Sequence, residues 1–230
     1  MDHRSVDGGS GLTWIGVHSY EEPSSAAPGM LGSISLTAAR GVEPEEFLVR
    51  LGADVDRLRS RDLFRDRHDL AVPAEMLPCL SMAMWDTCDD WVYVLEHGFA
   101  ATWFLGYRRV SAMAPLVGEE ILCVTQQRGV GPSWILHAPG DGQVCSAEWR
   151  ADTGRGSALD TALNEAGAVF PSVYRGASEE EAERYREEHS HDLPELVFAA
   201  IGSYSGLRID QAAVTAGELP LAILPAVNAS

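Results

Sequence analysis

The sequence predicts an α+β fold, a mainly antiparallel sheet with flanking helices and a C-terminal helical section, and three observations carry that prediction. The stretch from Ser33 to Asp54 reads as strand, tight turn, short helix and stop. The runs "EEILCVTQ", "SWILHA" and "QVCSAEW" read as consecutive strands, the last two joined through "PGDG". Beyond Arg150 the apolar residues change to helical spacing. Consecutive hairpins favour antiparallel pairing over a doubly wound parallel sheet.

In the first signature, Ile34, Leu36 and Ala38 alternate with Ser33, Ser35 and Thr37, the period of a half-buried strand. Gly41 breaks the strand, and Pro44 sits where a helix best tolerates a missing N–H. Glu45 and Glu46 oppose the positive end of the helix dipole. Phe47, Leu48 and Leu51 form a buried stripe, Arg50 falls in the last turn, and Gly52 suits a left-handed cap. In "DVDRLRSRDLFRDRHDL" five Asp and five Arg interleave with few apolar anchors, which predicts a solvated helix or loop leading to "VPAEMLP". Trp91–Glu96 is the next strand, and a helix is expected over Trp103–Met113. Asp141-Gly142 suits a hairpin turn, with Cys145, Ala147 and Trp149 on one face of the following strand and Ser146 and Glu148 on the other. Leu159, Leu163, Ala166 and Phe170 fall on one helical face. Ser178 with Glu181 is a capping-box pattern opening an acidic helix through Glu188. Asp192 starts an apolar helix ending near Gly206, and Asp210–Gly217 is a last short helix. The expected organisation is an N-terminal segment over 1–27, flexible at its extreme end, a sheet-forming core over 28–150, and a helical section over 151–230 belonging to the same domain or to a small lobe.

Three stretches together resemble an uncharacterised actinobacterial family. These are "ISLTAARGVEPEEFLVRLGAD", "DDWVYVLEHG" and "AAIGSYSGLRIDQAAVTAGELPLAILP", and the likeness extends over roughly three quarters of the chain. Glu43 departs from the family pattern, standing where a Ser, Thr or Asp cap is expected. The resemblance implies a fold and a source; it implies no activity and assigns no residue a role.

Composition narrows function mainly by exclusion. The chain has 34 acidic and 17 basic residues, a net charge of −17. Every basic residue is arginine, because lysine is absent, as high-GC coding would produce. That charge favours solubility or a cationic partner, and it disfavours nucleic acid, whose phosphates it repels. The N-terminus lacks the apolar core of a secretory signal, and no apolar run reaches the roughly 20 residues needed to span a bilayer. Cys79, Cys88, Cys123 and Cys145 show no CxxC spacing, which suits a reducing, cytoplasmic setting. Without lysine there is no P-loop lysine, Schiff base or pyridoxal attachment. "GSYSG" centres on Tyr204 and is not a hydrolase elbow. No cofactor is expected.

Candidate sites remain. In "WDTCDDW", Asp86, Asp89 and Asp90 lie between Trp85 and Trp91, a pattern that suits a guanidinium or ammonium group by ion pairing and cation–π contact. The same residues also make an ordinary polar turn, and they lack the glycine and ligand spacing of a calcium loop. Glu179, Glu180 and Glu183 on the acidic helix offer a second docking face, or simply a solvated one. Glu96, His97 and His137 at strand ends are candidates for acid–base chemistry, although adjacent Glu96 and His97 point to opposite faces. His189 and His191 are poorly spaced for zinc, and no metal site is expected. The preferred reading is a non-catalytic cytoplasmic protein of immunity or accessory type whose acidic surface binds a basic protein or cationic ligand, away from membranes. The alternative is a cofactor-independent cyclase or isomerase.

Overall fold

The computed structural model describes residues 11–17, 30, 32–98, 102, 117–127 and 132–226. It is α+β: a seven-stranded antiparallel sheet and, among the described residues, seven α-helices. The described residues of Gly32–Ser146 and Ala212–Ser230 form a sheet unit, and those of Met1–Leu31 and Ala147–Gln211 a helical unit. The last stretch of the chain thus groups with the sheet, whereas the sequence assigned all of 151–230 to the helical section.

The strands are β1 (Ile34–Arg40), β2 (Leu80–Cys88), β3 (Trp91–His97), β4 (Glu120–Gln126), β5 (Trp134–Pro139), β6 (Cys145–Glu148) and β7 (Leu221–Pro225), in the order β6-β5-β4-β1-β3-β2-β7. β1 is central, and its register sets Ala39 beside Val92 and Ile121, Thr37 beside Val94 and Cys123, and Ser35 beside Glu96 and Thr125. One face near the Ala39 end is covered by α2 (Pro44–Arg50) and α3 (Val55–Ser60). Phe47, Leu48, Leu51 and Leu58 pack there on Trp85, Val92, Val94, Ile121 and Leu224. Glu43 precedes α2 without a side-chain cap, while Asp54 caps α3 by accepting from the N–H of Asp56 and Arg57. α3 and a turn of 3-10 helix at Phe64–Asp66 occupy the Asp/Arg-rich stretch, anchored by Leu58 and Phe64.

Two expectations are corrected here. β1 is not half-buried: Ser35 and Thr37 are fully buried, because a central strand is covered on both faces and their hydroxyls find partners inside. Asp86, read as part of an acidic turn with Asp89 and Asp90, lies instead in the nine-residue strand Leu80–Cys88, so the turn itself is only Asp89-Asp90, with Asp89 at φ +53°. The helix expected over Trp103–Met113 lies outside the described residues.

In the helical unit, α1 (Thr13–Gly16) packs on α6 (Leu193–Ser205) so closely that a Cβ on Gly16 would stand 2.4 Å from Pro194 backbone atoms. Trp149 meets Phe198 edge-on at 6.2 Å. α4 (Ala158–Glu165) and α5 (Glu179–His189) both open with complete capping boxes, Ser157/Asp160 and Ser178/Glu181. α4 stops before Phe170, which meets Tyr185 of α5 edge-on at 5.0 Å instead of extending the α4 face. α7 (Gln211–Ala216) belongs from Ala212 onward to the sheet unit and precedes β7.

Candidate functional site: an acidic cleft at the β1–α2 turn

Gly41 turns the chain from β1 into α2 at φ +78°, and a Cβ there would lie 2.3 Å from the Gly118 carbonyl oxygen. Only glycine permits that approach, which sets the start of α2 beside Glu119. Across from α2 stands the two-residue β2–β3 turn. Between them opens a cleft of about 440 Å³ whose walls carry the carboxylates of Glu43, Glu46, Asp89, Asp90 and Glu119, with Trp91 and Val92 also lining it. Glu119 is held by a two-pronged pair with Arg50, at 2.9 and 3.0 Å. Asp90 lies 4.0 Å from Arg40 and keeps its side chain 69% exposed. Glu43 and Glu46 are exposed, and among the described residues neither makes a side-chain ion pair. Among the described residues no group of three or more His, Cys, Asp or Glu side chains is placed to hold a metal ion.

The aromatic–carboxylate pattern around the turn does engage guanidinium groups, and they are the chain's own. Arg61 lies 5.1 Å over the Trp85 ring and pairs with Asp86 at 3.2 Å. Arg40 lies 4.9 Å over Trp91 and bonds Glu120 through Nε at 2.6 Å. Trp85 and Trp91 are buried, so neither offers a ring face as freely as the sequence suggested. Of the predicted partner-binding residues, Asp89, Asp90 and Trp91 are brought together in the cleft. Asp86 and Trp85 are not part of it, and Glu179, Glu180 and Glu183 are exposed on α5 in the helical unit, where Glu183 pairs with Arg186 at 2.5 Å. The sequence missed Glu43, Glu46 and Glu119. The first two were read only as a helix start, and their position opposite the Asp89-Asp90 turn depends on long-range pairing.

The acid–base candidates do not meet. Glu96 and His97 lie on opposite faces of β3, one beside Ser35 and the other beside Ile34. Glu96 is buried and accepts from Ser81 Oγ at 2.7 Å, from the Thr102 N–H at 3.0 Å and from the Thr102 hydroxyl. β4 and β1 separate β3 from β5, which puts Glu96 and His137 roughly 14 Å apart across the sheet, on opposite faces. The carboxylate partner of His137 is Glu120 on the adjacent strand, 3.0 Å from Nε2, with both residues buried. Burial opposes the charge on His137, but the neighbouring Cys145 side chain and the hydrogen-bonded Glu120 carboxylate prevail and push its pKa up to about 8. Burial pushes the Cys123 thiol up to about 12, against the hydrogen bond donated by Thr37, so this cysteine is inert at neutral pH.

A second cavity of about 230 Å³ is mainly apolar, lined by Val72, Pro73, Met76, Leu80 and Ile223 with Asp54 and Arg57 at its edge. Neither cavity is lined by Glu96, His97 or His137. Among the described residues no helix is long and apolar enough to cross a membrane. No protein-family model, curated protein or solved structure matches this chain.

Proposed function

We propose that the protein binds a cationic group, the guanidinium or ammonium of a basic protein, in the cleft between the start of α2 and the Asp89-Asp90 turn. The observation that carries this reading is the convergence of Glu43, Glu46, Asp89 and Asp90 on one open cavity. A role of immunity or accessory type, holding a basic partner, follows from that chemistry and from the net charge of −17. The same charge argues against nucleic acid. The four cysteines are free, which supports a cytoplasmic setting, and the lysine-free composition supports an actinobacterial family. The enzyme alternative needs a pocket reached by Glu96, His97 or His137; the convergence of carboxylates on the cleft favours the binding reading.

The test separates a site from diffuse charge. One cleft carboxylate 5 Å from a cation contributes about 0.8 kcal/mol in water before screening. Removing three, as Glu43→Gln, Glu46→Gln and Asp90→Asn together, should weaken binding of an oligoarginine peptide by about tenfold at low salt. The matched triple change Glu179→Gln, Glu180→Gln and Glu183→Gln should change it less than about twofold. Fluorescence anisotropy titrations read both. Equal losses in the two variants would leave only a diffuse acidic surface and refute the cleft.

A further inference from the structure

β7 is the last strand of the sheet, so among the described residues one of its edges faces no other strand. The register fixes which main-chain groups lie on that edge. Trp85 donates its N–H to the Pro220 oxygen at 3.0 Å and Ala226 donates to the Cys79 oxygen at 2.8 Å, so the even-numbered residues bond β2. The odd-numbered ones, Leu221, Ile223 and Pro225, turn their main-chain groups outward. The chain itself already pairs with the first part of this edge. Leu221 donates to the Asp62 oxygen at 2.6 Å and Phe64 to the Leu219 oxygen at 2.9 Å, around a Leu63–Pro220 bridge. That cover ends at Asp62, because the residues before it coil into α3. The N–H and C=O of Ile223 are left with no partner among the described residues. Beside Ile223 lies the apolar cavity of about 230 Å³, which Val72, Pro73, Met76, Leu80 and Pro225 also line. Arg57 borders it half-buried, and its guanidinium makes no hydrogen bond or ion pair among the described residues. By contrast Arg59 on the same helix pairs with Glu45, and Arg61 pairs with Asp86. Asp54 is at the same rim, but its carboxylate is engaged as the α3 cap, accepting from the N–H of Asp56 and Arg57 at 2.9 and 3.3 Å.

We propose that this opening takes the free C-terminus of an extended apolar peptide, which adds to β7 as a further strand. One peptide residue bonds Ile223 through its own N–H and C=O, the last side chain fills the cavity, and the terminal carboxylate pairs with Arg57. The occupant is chosen by the three features together. A fatty acid fills the cavity and meets Arg57 but leaves the Ile223 main chain without a partner. An apolar internal segment bonds Ile223 but brings no carboxylate. In strand addition the main-chain bonds supply affinity and the pocket selects the side chain. The site shares no lining residue with the acidic cleft, so it stands independently of the cation-binding reading.

The test uses peptides of sequence Gly-Ser-Thr-Val followed by Val, Ile, Leu or Phe, each labelled with rhodamine at the N-terminus. They are titrated with the full chain at about 150 mM salt, where screening over about 8 Å mutes the repulsion between an acidic protein and an anionic peptide. By fluorescence anisotropy at least one should bind with a Kd below about 1 mM. The same peptide as its C-terminal amide should bind about fivefold more weakly. Arg57→Gln should weaken the free acid by that factor and leave the amide unchanged. N-methylation of the last two peptide residues removes their N–H groups and should weaken binding about tenfold. If Arg57→Gln melts early, the amide and the methylated peptide decide the matter, since both leave the protein untouched. Failure of every peptide to bind would overturn the proposal. So would equal affinity of acid and amide, or of the methylated and parent peptides. Octanoate that competes as well as the unlabelled peptide would reveal a fatty-acid pocket and overturn it too.

Discussion

Replacing Arg40 by Met tests how much of the sheet's stability depends on one guanidinium. Arg40 grips Glu120, whose side chain is only 7% exposed, while its own side chain is 40% exposed. Breaking a fully buried pair costs about 3–5 kcal/mol, because the remaining charge is left without its counterion. Water reaches the outer part of Arg40, so the appropriate figure is lower, about 2–3 kcal/mol. Lost stacking on Trp91 adds about 0.5 kcal/mol, part of which the methionine thioether recovers. Glu120→Gln in the same chain removes the stranded charge while leaving an amide oxygen for His137. The double variant should therefore lie within about 1 kcal/mol of the parent, with a coupling of about 2 kcal/mol between the two positions. Urea unfolding followed by tryptophan fluorescence gives both numbers, and the slope against denaturant should not change. An Arg40→Met chain within about 0.5 kcal/mol of the parent, or a double variant as unstable as the sum of its parts, would refute the reasoning.

In the helical unit, the buried Asp160 carboxylate accepts from the N–H of Thr153, Arg155 and Ser157 and from the Thr153 hydroxyl, at 2.7–3.1 Å. Burial pushes its pKa up, but these donors outweigh burial and hold it below the usual value. Its stabilisation is therefore present above the unfolded-state pKa of about 3.9 and is lost as pH falls through the folded-state value. Asp160→Asn should cost about 2 kcal/mol at neutral pH, and the gap should close in acid; a gap that persists in strong acid contradicts this account. Gly41→Ala meets a backbone oxygen at 2.3 Å and should cost about 3 kcal/mol. Gly118→Ala, at φ +92° with nothing within 4 Å of the added carbon, should cost about 1 kcal/mol. Equal melting temperatures for the two alanine variants would dispose of the close-approach argument.

What was legible in the sequence was local. Pro44, Glu45, Glu46 and Gly52 mark α2 because each acts within its own turn, and Asp141-Gly142 marks the β5–β6 connection for the same reason. The misreadings involve partners distant in sequence. Ser35 and Thr37 look like a solvent face until Thr102 and Cys123, 67 and 86 residues away, accept them into the interior. Asp86 looks like part of a turn until Arg61 shields it on β2. The His137–Glu120 pair needs the β4–β5 register, which sets Leu122 against His137 and leaves Glu120 one step along the same face. Nothing in either strand alone announces it. β7 likewise finds its place only by pairing with β2, more than 130 residues earlier.

The absence of lysine bears on where an external cation can dock. A guanidinium is flat and forked, so one side chain can lie on an aromatic ring and pair with a carboxylate at once, which an ammonium does less well. Arg40 does this with Trp91 and Glu120, and Arg61 with Trp85 and Asp86. Arg67 on Phe64 and Arg150 on Phe170 repeat the stacking half of the arrangement. The carboxylates nearest the buried tryptophans are thus matched from within, and a visiting guanidinium would first have to displace a tethered one. Glu43 and Glu46 are different. They project from the first turn of a short helix, where no arginine of the described chain reaches them, and they face Asp89 and Asp90 across open space. A cation arriving there meets two exposed carboxylates that hold no arginine of the described chain, beside Asp90, which lies 4.0 Å from Arg40. This difference, more than the total charge, is why the proposed docking point lies on the Glu43 and Glu46 side of the cleft and not at the Trp85–Asp86 end of the turn that the sequence picked out.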